Sequence, residues 1–73
     1  MSNSKNFMHE VVAFLDADWT MKCDMRKDLH DIVNEEYDND FDKFIQAEVL
    51  NEDYYTTRSF IEDLYFNELY MDY

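Results

Sequence analysis

Residues 21–36 read MKCDMRKDLHDIVNEE. Met21, Met25, Leu29, Ile32 and Val33 recur at the steps that line one face of an α-helix and no face of a strand. The rest of the chain supports that reading. Its 73 residues include neither glycine nor proline. Two-residue hairpins lean on Gly, Asn-Gly or Asp-Gly turns, and Gly-rich phosphate loops are excluded with them. The fold is predicted to be all-α, with one helix running from Thr20 or Met21 to Glu36.

Upstream, Ser4 is a candidate N-cap. Phe7, Met8, Val11, Val12, Phe14 and Leu15 follow at helical spacing, which predicts a helix over 5–18. Downstream, YDND at 37–40 favours a turn, because Asp and Asn bond to their own backbone. Asn39 or Asp40 would cap a third helix over 40–50 carrying Phe41, Phe44, Ile45, Val49 and Leu50; the alternative is that the third and fourth helices are continuous through residue 53. NEDYYTTRSF at 51–60 fits loop, helix or a short strand. Ser59-x-x-Glu62 then matches a capping box ahead of Phe60, Ile61, Leu64, Tyr65, Leu69 and Met71, predicting a helix over 59–71. The expectation is a single domain, residues 1–73, of three to four short helices around one small core.

A chain of this size buries only about 60% of its unfolded surface, so disulfides, metals or self-association usually support it. Cys23 is the sole cysteine; no intrachain disulfide can form, and a reducing compartment is indicated. A homodimer is one way to enlarge the core. The N-terminus lacks the continuous apolar run of a signal peptide, and nothing approaches a membrane span. A cytoplasmic protein is expected.

Charge narrows the partners. Eighteen Asp and Glu stand against six Lys and Arg, for a net −12. Direct binding to nucleic acid or to anionic membranes is disfavoured, since both need cationic surface. A basic protein is the expected partner. Disorder is disfavoured too, with 47% hydrophobic and 18% aromatic residues.

The acids are arranged. Residues 28–42, DLHDIVNEEYDNDFD, hold seven carboxylates and no Lys or Arg. Asp24, Asp28, Asp31 and Glu35 step by four, three and four residues, so at 100° per residue they form a line within an arc of roughly 60°. That line edges the apolar stripe of the same helix. Glu36, Asp38, Asp40 and Asp42 extend the acidic surface at its end. Like charges at these spacings destabilise a helix, and a surface built for solubility alone would mix its signs.

Other chemistries fail on spacing. Asp38-x-Asp40-x-Asp42 imitates the start of a calcium loop, but Lys43 stands where Gly is needed and Val49 where Glu is needed. His9-Glu10 opens like a zinc-protease helix, but Ala13 replaces the second histidine. Cys23 and His30 share a helix face without an orienting acid or oxyanion donors; Cys23 reads as a small core hydrophobe. No metal, no cofactor and no enzymatic activity are expected. Five of the six tyrosines lie in the last twenty residues: Tyr54, Tyr55, Tyr65, Tyr70 and Tyr73. Tyr65 fits the core and its rim. The others exceed what one small core can take, so Tyr54 and Tyr55 join the acids as candidate partner-binding residues.

In size, charge and aromatic content the whole chain resembles the small acidic DNA mimics of phages and mobile elements, which include restriction inhibitors, anti-CRISPR proteins and uracil-glycosylase inhibitors. That group shares no motif and no single fold. The resemblance implies an inhibitor of a host nucleic-acid enzyme, working in the host cytoplasm. Two alternatives carry no mimicry. One is an immunity, antitoxin or regulatory partner of a basic protein; DYY at 53–55 is similar to the tyrosine pair of colicin-type immunity proteins, although their surrounding loop, glycines and prolines are missing. The other is a small acidic oligomer whose charge serves only solubility.

Overall fold

The computed structural model describes residues 3–50 and 57–67. Those residues form an all-α fold: α1 Asn3–Ala13, α2 Trp19–Glu36, α3 Phe41–Phe44 continuing into a π-helical turn Ile45–Leu50, and α4 Arg58–Phe66. The long α2 is central, with α1 packed on one side and α4 on another, and α1 also touches the π-helical turn. Leu69, Met71, Tyr54, Tyr55, Tyr70 and Tyr73, and any continuation of the third helix to residue 53, fall outside the described residues.

The core follows the apolar periodicity. Met25, Leu29, Ile32 and Val33 of α2 are buried together with Phe7, Met8 and Val11 of α1. Phe44, Ile45, Val49, Ile61 and Leu64 close the other side. Phe44 is the hub, edge-on to Phe7 at 6.3 Å and to Tyr37 at 5.5 Å. Glu48 is also buried, on the core side of the π-helical turn between Ile45 and Val49. Among the described residues no buried side-chain N or O atom lacks a hydrogen-bond partner.

Several boundaries differ from the sequence reading. The first helix begins before Ser4, which lies within it, and ends at Ala13 rather than 18. Asp18 starts α2 early by accepting a hydrogen bond from the Met21 N–H at 3.0 Å, and a helix capped there leaves Phe14–Asp16 as a turn. Phe14 and Leu15, expected in the core, are therefore 43% and 45% exposed, and Val12, still within α1, is 46% exposed, off the side that buries Val11. Cys23 is half-buried rather than enclosed.

At the other end of α2, Asp38 and Asn39 take φ of 55° and 59°. This left-handed pair costs most residues 1–2 kcal/mol each and is tolerated best by Asn and Asp after Gly. It lets the Asn39 N–H reach the Val33 carbonyl at 2.9 Å and end the helix. Asp40 then caps α3, accepting from the Lys43 N–H at 3.3 Å.

The capping box at Ser59 does not form. Glu62 pairs instead with Arg58 one turn earlier, at 3.4 Å, and α4 starts at Arg58 with Thr57 at the cap position. It ends at Phe66, not 71, because Asn67 is extended.

That end is held from α2. Arg26 Nη1 donates to the carbonyls of Leu64 at 2.9 Å, Tyr65 at 2.8 Å and Asn67 at 2.8 Å. A cation suits the carbonyl-rich C-terminus of a helix. One turn on, His30 Nε2 donates to the Tyr65 carbonyl at 3.1 Å. The Tyr65 ring is sandwiched between His30 at 4.2 Å and Phe41 at 4.1 Å, both stacked.

Candidate functional site

The α2 row stands in the open. Asp24, Asp28, Asp31 and Glu35 are all exposed, on a helix that runs unbroken from Trp19 to Glu36. Eleven residues separate the first acid from the last, a length of roughly 16 Å at 1.5 Å per residue. The row edges the core as its phase requires, since Met25 and Ile32 lie beside the acids in the grooves they line.

The structure adds a member that the sequence did not reveal. Glu10 of α1 faces the same groove. A cleft of about 370 Å³ between the helices is lined by Asn6, Phe7, Glu10, Asp28, Asp31, Ile32 and Glu35. A neighbouring depression of about 460 Å³ is lined by Glu10, Met21, Asp24, Met25, Lys27 and Asp28. The row is thus one wall of an acidic groove, with Glu10 opposite. Asn6 and Glu10 flank the α1 stripe one turn apart, so an edge position was visible in the sequence. Which edge meets α2 was not.

Asp28 feels this arrangement most. Its pKa is raised above 3.8, first by partial burial in the groove, then by repulsion from Asp31 and Asp24; Lys27 pulls the other way with the smallest influence.

The acidic turn behaves differently. Asp40 caps α3, Asp38 pairs with Lys43 at 3.6 Å, and Asp42 sits in the first turn of α3, where a negative charge favours the helix dipole. Glu36 and these three are exposed. The left-handed pair breaks the phase after Glu36, so the turn does not prolong the line of carboxylates. Tyr54 and Tyr55 lie outside the described residues.

The remaining candidates are placed as follows. His9 is exposed. His30 faces α4, and burial lowers its pKa below 6.5, opposed by its bond to the Tyr65 carbonyl and reinforced by Arg26. Among the described residues, no three His, Cys, Asp or Glu side chains form a group that could hold a metal ion. No described helix is long and apolar enough to cross a membrane.

The fold and the groove define a small all-α domain whose candidate site is an extended acidic surface. No protein-family model matches the chain, and neither curated proteins nor solved structures give a significant match.

Proposed function

We propose that the chain is a non-enzymatic binding protein that inhibits or regulates a basic, nucleic-acid-binding protein by offering the α2 carboxylates in place of DNA. The observation that carries this reading is the exposed row Asp24, Asp28, Asp31 and Glu35 on one unbroken helix, with Glu10 across the groove. Neighbouring members are about 5–6 Å apart. Over the same length of roughly 16 Å, one strand of duplex DNA carries about five phosphates, at one per 3.4 Å. The two charge densities are comparable. A cleft lined with Lys and Arg for phosphates would accept such a row, and opposite charge would steer the encounter.

The test uses the chain as bait for basic nucleic-acid enzymes, followed by competition with duplex DNA. DNA should displace the captured enzyme. Neutralising the row together (Asp24→Asn, Asp28→Asn, Asp31→Asn, Glu35→Gln) should slow association about tenfold or more at low salt, the scale of electrostatic steering. A captured enzyme that binds DNA and this chain simultaneously would sink the mimicry. So would an association rate unchanged by neutralisation.

A further inference from the structure

Where α1 turns into α2, four large apolar side chains between positions 12 and 19 stand half-exposed: Val12, Phe14, Leu15 and Trp19, the last at 48%. Their backbone is ordered by local bonds, with the Phe14 N–H on the Glu10 carbonyl at 2.9 Å and the Ala17 N–H on the Phe14 carbonyl at 3.0 Å. Large apolar side chains left half-exposed close together in sequence, with carboxylates among them, offer a surface for a partner to cover.

Charge selects the occupant. Exposed Asp16 and Asp18 lie within the corner itself. Glu10, one turn before Phe14, and Met21, two residues after Trp19, line the acidic depression with Asp24 and Asp28, so carboxylates adjoin the corner along both helices. The nearby base, Lys22, is directed over the Phe60 ring at 5.8 Å. A second copy of the chain would bring these carboxylates against their own kind, in a molecule of net charge −12. A basic protein brings the opposite sign.

We infer that this corner is the apolar anchor of the partner interface and docks on an apolar pocket bordered by Lys and Arg, next to the cleft that receives the carboxylates. The inference rests on the proposed binding of a basic partner and adds a division of labour. The groove governs the rate of encounter, and the corner governs how long the complex lasts.

The chain's single tryptophan reports on the corner directly. The probes are two synthetic peptides of equal positive charge, one a helix with a leucine face and the other oligo-arginine. Trp19 emission should shift to the blue with the leucine-faced helix and stay in place with oligo-arginine. Phe14→Ser with Leu15→Ser removes two half-exposed side chains and should weaken binding of the leucine-faced peptide about ten- to a hundredfold, with oligo-arginine binding unchanged. Leu15→Gln alone, with its melting temperature checked against the parent, repeats the test if the double variant unfolds. Equal affinity of parent and folded variant for the leucine-faced peptide overturns the anchor. So does a concentration-dependent dimer in sedimentation that the substitutions abolish, since a second copy would then be the occupant. If oligo-arginine binds as tightly as the leucine-faced peptide, the anchor fails and the charge reading stands. If neither peptide binds, both fail.

Discussion

Asp28→Asn should make the protein more stable. Asp28 lies between Asp24, four residues before it, and Asp31, three residues after it, and its carboxyl is partly buried against α1. Its pKa is raised in the fold above 3.8. The folded state therefore holds this proton more tightly than the unfolded chain does. That contribution is fully present below 3.8 and is lost as pH rises through the folded value, so at neutral pH the ionised carboxylate costs stability. Each like-charge pair at these spacings is worth about 0.2–0.5 kcal/mol. Asn removes two of them at nearly equal helix propensity, a gain of about 0.4–1 kcal/mol. For a domain of this size that is a rise in melting temperature of about 2–8 °C. The assay is thermal unfolding by far-ultraviolet circular dichroism at pH 7, in low and in high salt. The gain should shrink in high salt, where screening shortens to a few ångströms, and Asp28→Glu should show none of it. If Asp28→Asn melts at or below the parent temperature in low salt, repulsion along the row does not cost the fold stability.

Two further outcomes concern the far side of α2. Arg26→Met takes the guanidinium from three carbonyls at the end of α4, of which that of Tyr65 keeps a bond from His30; hydrogen bonds to a charged group are worth about 1.5–3 kcal/mol each, and one shared nitrogen supplies them, so denaturant titration should show a loss of about 2–4 kcal/mol. A loss under about 1 kcal/mol would mean that water replaces the guanidinium at little cost. Burial lowers the pKa of His30 from 6.5. The unfolded chain binds that proton more readily, so stability should be full above the unfolded value and fall as pH drops through about 6.5 toward the folded one. His30→Gln should flatten that part of the profile, and an identical profile in the variant would assign the slope to other groups.

Periodicity made the centre of the fold legible. Of the stripe Met21, Met25, Leu29, Ile32 and Val33, the last four are buried and Met21 is half-buried near the helix start, because a helix with one apolar face has one way to bury it. A cap at Asn39 or Asp40 was legible, as was the turn as a break, since both depend on local side-chain chemistry; the structure selects Asp40. What escaped depends on competition or on distance. Phe14 and Leu15 satisfy the α1 stripe on paper, but Asp18 claims the next helix and they are left in the turn before it. Ser59 and Glu62 have the spacing of a capping box, yet Arg58 offers Glu62 a nearer charge. Glu10 meets the acidic row only because α1 docks on that side of α2. Arg26 reaches carbonyls 38 to 41 residues away, and no local pattern announces such a contact.

The placement of Arg26 also explains why the row keeps its negative charge. At 100° per residue, Arg26 lies on the opposite side of α2 from the line of Asp24, Asp28, Asp31 and Glu35. Its guanidinium is committed to the end of α4, and His30 beside it is biased toward its neutral form. Among the bases of this helix, Lys27 is left as the one that tempers Asp28, and it does so less than the two neighbouring acids oppose it. Alpha-2 thus turns a basic and aromatic side inward toward α4 and an acidic edge outward along α1. The inward side can help secure the helix while the outward edge strains it. Arg26→Met should accordingly cost stability without weakening the attraction of each folded molecule for a basic partner, whereas neutralising the row should do the reverse. Parallel loss of both properties in either variant would show that the two sides of α2 are not separable.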